Sequence, residues 1–170
     1  MTVTIATLNR LDREAFRRTL GGVFEQSPWV AEAAFDRRPF ATLDALHATM
    51  VDVVRSASRP AQLALIRAHP DLAGKAARAT MSVASVAEQA SAGLDRLTDE
   101  EYERFERLNH AYRDRFGFPF VIAVRRHDKL AILSAFEARL RNTVDDEIAT
   151  ALAQIGEIAR LRLETLTGSA

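Results

Sequence analysis

The 170-residue chain contains no cysteine. Disulfides, thiolate metal ligands and a cysteine nucleophile are therefore excluded. The chain also has no net charge, because 23 Lys and Arg residues balance 23 Asp and Glu residues. Proteins dedicated to nucleic-acid binding normally carry a basic excess or patch, so we expect no nucleic-acid partner.

Long apolar runs are missing as well. No run approaches the roughly 20 residues that a helix needs to span a bilayer. The N-terminal residues lack the basic region followed by an apolar region that marks a secretory signal. We therefore expect a cytoplasmic protein without a membrane partner.

Common catalytic and metal-binding motifs are also lacking. His47, His110 and His127 lie far apart in sequence and match no metal-ligand spacing of the HExxH kind. The chain contains no glycine-rich phosphate loop and no G-x-S-x-G nucleophile elbow. Any chemistry must come from less familiar combinations of residues.

The patterns that are present are mostly helical. Thr98 with Glu101 matches a capping box, and Gly117 is a natural helix stop after the apolar positions between them. Asn9 is predicted to cap a helix that runs to about Leu20. Other predicted helix starts are Thr42, Ser82, Asp128 and Thr143. We predict one all-α domain over residues 1–170, a bundle of about eight helices.

One apolar run, GFPFVIAV at residues 117–124, does not fit a helix. It predicts a short strand or an extended buried segment. Its backbone groups need partners in either case. It is either part of the core or, beside a pocket, a source of backbone contacts to a ligand.

His69 directly precedes Pro70 in the stretch RAHPDLAGKA, residues 67–76. Proline disfavours the helical conformation in the residue before it, so a helix is predicted to end by His69. A histidine at a helix C-terminus is favoured in its protonated form, which suits a proton donor. The alternative is a histidine that only caps the helix or stays partly exposed.

The segment SVASVAEQASAGL, residues 82–94, has two different faces on a helical wheel. Val83, Val86, Ala87, Ala90 and Leu94 fall on one side. Ser85, Glu88 and Gln89 fall on the other. The polar face is either solvated or turned toward a pocket, and the local sequence does not decide between the two.

Arg162 lies on the apolar stripe of the last predicted helix, four residues after Ile158. Arg160 points nearly the opposite way. An arginine that faces the core needs an anion or an acidic partner, because an unpaired buried charge is costly. The sequence permits an anion site, a structural salt bridge, or a side chain that reaches the surface at the helix end.

Taken together, these segments resemble the 2-oxo-4-hydroxy-4-carboxy-5-ureidoimidazoline (OHCU) decarboxylases. The resemblance covers most of the chain in the same order. The segments that carry it are FEQSPWVAEAAF, AHPDLAGKA, the spaced Ser85, Glu88 and Gln89, AGLDRLTDEE, LNHAYRDRFGFPFVIAVR and IARLRL.

The resemblance implies a cofactor-free and metal-free all-helical lyase, usually a homodimer, that converts OHCU to (S)-allantoin with loss of CO₂. Family positions map onto His69 as the catalytic histidine and Glu88 as its acidic partner. They map onto Arg160 or Arg162 for the C-terminal arginine, and the helical wheel favours Arg162. Substrate contacts fall on Pro70, Ser85, Gln89 and the backbone of Phe120, Val121, Ile122, Ala123 and Val124.

The chemistry of decarboxylation suits these residue types, because a positioned acid–base group can protonate one face of the product without a metal. We therefore expect His69 to handle the proton, Glu88 to orient His69 or the substrate hydroxyl, and Arg162 to hold a substrate anion or carbonyl. The sequence leaves two alternatives open. One is a different cofactor-free lyase or hydrolase on the same scaffold, and the other is a helical interaction module without activity.

Overall fold

A computed structural model describes residues 2–74 and 80–169. These two ranges contain nine α-helices, one 3₁₀ turn and no strand, which confirms the all-α prediction. The helices are α1 Ile5–Arg10, α2 Arg13–Leu20, α3 Trp29–Phe35, α4 Leu43–Ser56, α5 Arg59–Arg67, α6 Val83–Ser91, α7 Asp99–Phe116, α8 Lys129–Arg139 and α9 Val144–Thr167, and the 3₁₀ turn is Val124–Arg126.

The chain divides into two compact units. The first, called here the terminal unit, consists of Met1–Ala68 and Gly156–Ala170; the second, the central unit, consists of His69–Ile155. Helix α9 supplies residues to both of them. The prediction of a single domain over residues 1–170 stays a prediction.

Local capping chemistry explains where most helices begin. The side chains of Thr42, Ser82, Thr98 and Asp128 each accept a hydrogen bond from a backbone N–H in the first turn of the helix that follows. Such bonds satisfy N–H groups that have no partner within the helix.

The predicted cap at Asn9 is wrong. Asn9 lies inside α1, and its amide exchanges two hydrogen bonds with the backbone of Phe40. Asp12 caps the next helix instead, by accepting from the N–H of Ala15 at 2.7 Å. The helix predicted from residue 9 is therefore two helices, α1 and α2.

The core of the terminal unit forms where α3 packs against α2 and α4. Phe16 is fully buried there, with the ring of Phe35 at 5.5 Å and that of Phe40 at 6.4 Å between centroids. Leu46 and Met50 of α4 are also buried completely. No α-helix in the described part of the chain combines the length and the apolar character needed to cross a membrane.

The core of the central unit is a cluster of aromatic rings. Tyr112 of α7 contacts Phe116, Phe118, Phe120 and Phe136. Phe120 and Phe136 stack face to face with 3.8 Å between their centroids. Gly117 ends α7 in the left-handed conformation, at φ 75°, as its position in the sequence predicts. The chain then enters this cluster without forming another helix until residue 124.

The capping box of α7 gives a direct test of helix stability. Both of its bonds are present, from Glu101 N–H to the Thr98 hydroxyl and from Thr98 N–H to the Glu101 carboxylate. We expect Thr98→Ala to lower the free energy of unfolding by about 1 kcal/mol in urea denaturation, because it removes the hydroxyl acceptor. Thr98→Ser retains that acceptor and should unfold like the wild type. Equal losses in the two variants would contradict this account.

Candidate functional site

His69 lies two residues beyond the end of α5 and belongs to the central unit. The prediction that a helix ends by His69 is confirmed, since α5 ends at Arg67. The side chain is buried, with 6% of the residue exposed. A solvated histidine is therefore excluded. Lys75 and Ala76 of the motif lie outside the described residues.

Side chains of α6 and α7 bind the loop that follows His69. Gln89 accepts from the N–H of Ala73 at 3.0 Å and donates to the carbonyl of Asp71 at 3.2 Å. Asn109 donates to the carbonyl of Leu72 at 2.8 Å. Ala73 has a φ of 56°, a conformation that residues other than glycine seldom adopt. These bonds stabilise the loop in one conformation just beyond His69.

Helix α6 turns its polar face inward. Ser85 and Gln89 are 5% and 9% exposed, whereas Val83 on the apolar face is 88% exposed. Glu88 is half-buried. Of the two possibilities that the sequence left open, a solvated polar face is excluded for Ser85 and Gln89. Burial of hydroxyl and amide groups is expected only where they find hydrogen-bond partners, as Gln89 does in the loop after His69.

The apolar run after α7 is buried along its whole length from Phe118 to Val124. It has no regular secondary structure until the 3₁₀ turn that begins at Val124. That turn packs against α6. The end of the run therefore lies beside the helix that carries Ser85, Glu88 and Gln89.

An ionic cluster that the sequence reading did not single out supports this run. Glu147 of α9 is fully buried and accepts from Arg139 Nε at 2.7 Å, from the Tyr112 hydroxyl at 2.5 Å and from Asn142 Nδ2 at 2.9 Å. Arg139 also donates from Nη1 to the carbonyl of Val121 at 2.7 Å. Arg139 and Glu147 are eight residues apart. Oppositely charged residues at that separation are common in helical sequences, so the sequence did not indicate a buried ion pair.

The tyrosine in this cluster is strongly perturbed. Burial, and then its hydrogen bond to the negative Glu147, raise the pKa of Tyr112 well above its usual value. Tyr112 therefore stays a protonated donor to the carboxylate.

Arg162 lies on the buried stripe of α9, as the helical wheel predicted, with 8% of the residue exposed. Within the terminal unit it donates from Nη2 to Glu25 at 2.8 Å and from Nη1 to the carbonyl of Gly22 at 3.2 Å. The acidic partner required by a buried arginine is therefore Glu25, which is itself buried. Arg160 bonds to Asp44 and Glu164 instead.

The central unit thus contains His69, the polar face of α6 and the buried run that ends at the 3₁₀ turn. Arg162, which is also predicted to belong to the site, lies in the terminal unit. The other residues predicted for the site all lie in the central unit, and they are Pro70, Ser85, Glu88, Gln89, Phe120, Val121, Ile122, Ala123 and Val124. Their roles in binding and catalysis stay predictions. In the described ranges no three His, Asp or Glu side chains are grouped so that they could hold a metal ion.

These features define an all-helical protein in which histidine, hydroxyl and amide side chains are buried near irregular backbone. A family model described as OHCU decarboxylase matches residues 9–164. This chain therefore belongs to the OHCU decarboxylase family.

Two relatives illustrate the similarity. The chain is 48% identical over 161 residues to the 2-oxo-4-hydroxy-4-carboxy-5-ureidoimidazoline decarboxylase of Haloferax volcanii, covering 95% of this chain and 94% of the relative. It is 46% identical to a uric acid degradation bifunctional protein of Bacillus subtilis, of which it covers 32%. A crystal structure of (S)-allantoin synthase is 35% identical, with a TM-score of 0.78 over 96% of this chain and 54% of that one.

The raised pKa of Tyr112 predicts a loss of stability in alkali. An unfolded tyrosine ionises near pH 10, whereas folded Tyr112 ionises only at higher pH. The stability that it contributes is therefore complete below about pH 10 and declines as the pH rises further. Urea denaturation of the wild type should show this decline, and Tyr112→Phe should show a shallower one. Identical pH dependence in the two proteins would contradict the assignment.

Proposed function

We propose that this protein decarboxylates OHCU and releases (S)-allantoin, acting as a carbon–carbon lyase. The observation that carries the proposal is a similarity over nearly the full length of proteins with this named activity. It is supported by the burial of His69 in the unit that also contains the inward polar face of α6.

In this reaction the bond between the ring carbon and the carboxylate breaks, and CO₂ leaves. The electron pair moves into the neighbouring ring imine or carbonyl. A proton must then return to one face of the resulting carbanion or enol, so that a single enantiomer forms. An acid–base side chain held in one position can supply this selectivity.

In the proposed mechanism His69 transfers that proton. The bonds from Gln89 to the loop after His69 support this role, because they hold the loop against α6. Glu88 directly precedes Gln89 on that helix. In the proposal Glu88 orients either His69 or the substrate hydroxyl, while Ser85, Gln89 and Pro70 contact the substrate.

Arg162 is proposed to hold a carboxylate or carbonyl oxygen of the substrate. The resemblance of the segment IARLRL to the C-terminal arginine segment of the family supports this role, and the ion pair with Glu25 restricts the orientation of the guanidinium. A homodimer and a cytoplasmic location stay predictions.

A chiral assay tests the activity. Spontaneous loss of CO₂ from OHCU has no preferred face and gives racemic allantoin. OHCU is generated in situ, the protein is added, and optical rotation is followed. We expect a fast rise of optical activity. Racemic product at the spontaneous rate would reject the proposal and leave the two alternatives, a different lyase or hydrolase on this scaffold or a helical interaction module.

Substitution of the histidine tests its role separately. We expect His69→Asn to lower kcat by roughly 10²- to 10⁴-fold, the range typical of a lost acid–base group. His110→Asn is the matched control, because His110 is exposed on α7 and should turn over like the wild type. Thermal unfolding should show that both variants fold. A folded His69→Asn enzyme with unchanged turnover would overturn the assignment.

A further inference from the structure

The backbone N–H and C=O of Ile122 are unusual in their hydrogen bonding. No group within residues 2–74 and 80–169 forms a hydrogen bond to its N–H or its C=O. Yet Ile122 is buried, with only 4% of the residue exposed. Buried backbone groups almost always have partners, so this donor and this acceptor require partners from outside the described residues.

The peptide groups on both sides of Ile122 are held by side chains. The carbonyl of Val121 accepts from Arg139 Nη1 at 2.7 Å. The N–H of Ala123 donates to Gln154 Oε1 at 3.0 Å. Both peptide bonds are trans, since the one cis bond among the described residues is Arg38–Pro39.

Because the two peptide groups are planar and trans, these two contacts fix the directions in which the N–H and C=O of Ile122 point. In such a peptide the C=O of one residue and the N–H of the next point in opposite directions. Arg139 therefore turns the N–H of Ile122 away from itself by binding Val121. Gln154 does the same for the C=O of Ile122 by binding Ala123.

Arg139 is well suited to hold its carbonyl partner. Its guanidinium lies 4.2 Å from the centroid of the Phe120 ring and also binds the buried Glu147. Cation–π and ionic contacts together restrict the orientation of the guanidinium. Gln154 makes its contact from α9, where it is half-buried.

We propose that Arg139 and Gln154 are positioning residues that orient the N–H and C=O of Ile122 toward the substrate. The inference rests on the proposed function, in which the run from Phe120 to Val124 contacts OHCU. A donor and an acceptor on one residue complement the edge of an amide, which offers one C=O and one N–H. The ureido group of OHCU has such an edge.

Gln154 gives the cleaner test, because the loss of Arg139 would leave the buried charge of Glu147 without its cation and could unfold the protein. Gln154→Met removes the acceptor at nearly constant size, and Gln154→Glu retains an acceptor oxygen. We expect Gln154→Met to raise the KM for OHCU roughly five- to tenfold with little change in kcat, the effect of one lost hydrogen bond that serves binding. Gln154→Glu should recover most of the wild-type KM.

The matched control is Gln62→Met. Gln62 also binds backbone groups, the carbonyls of Val54 and Arg55, but it belongs to the terminal unit. Its KM should equal that of the wild type. A KM for Gln154→Met that matches the wild type, or an equal rise in Gln62→Met, would overturn the inference.

A spectroscopic measurement follows Ile122 directly. In ¹⁵N-labelled wild type, addition of (S)-allantoin should shift the amide signal of Ile122, and the shift should shrink in Gln154→Met. An active wild type whose Ile122 signal does not move would reject this inference alone. A wild type that produces racemic allantoin at the spontaneous rate would reject the proposed function, and this inference with it.

Discussion

The buried carboxylate of Glu147 is the constraint on which the central unit depends. A charge in the protein interior is tolerated only when ionic and hydrogen-bonding partners surround it. Arg139, Tyr112 and Asn142 provide them. Arg139 also binds the carbonyl of Val121, so the same arginine contacts both the buried charge and the run after α7. The internal charge and the proposed binding segment are therefore parts of one network.

The loop after His69 is built on the same principle. It lies outside the helices, so its backbone groups receive their partners from the side chains of Gln89 and Asn109. Side-chain amides suit this task, because each offers both a donor and an acceptor. In this all-α protein the two irregular segments closest to the proposed chemistry are thus held by side chains from neighbouring helices.

Much of the helical fold could be predicted because helix starts and stops follow local rules. At the start of α7, Thr98 and Glu101 cap the first turn, and at its end Gly117 caps the last turn. Each cap involves residues within one turn of the helix end. Asn9 shows the limit of such rules. Its side chain could cap a helix locally, but it bonds to Phe40, 31 residues away. A contact at that separation leaves no trace in the pattern around residue 9.

The sequence by itself determined the all-α class, the end of α5 before His69, the buried stripe of Arg162 and the family resemblance, because these depend on local periodicity or on motifs. Only the tertiary structure decided that Ser85 and Gln89 of α6 face inward while Val83 faces solvent. Only the tertiary structure shows that Arg139 and Gln154 form hydrogen bonds with the backbone on either side of Ile122. The physical reason is that a buried polar group takes its partners from whatever packs against it, and those partners are distant in sequence.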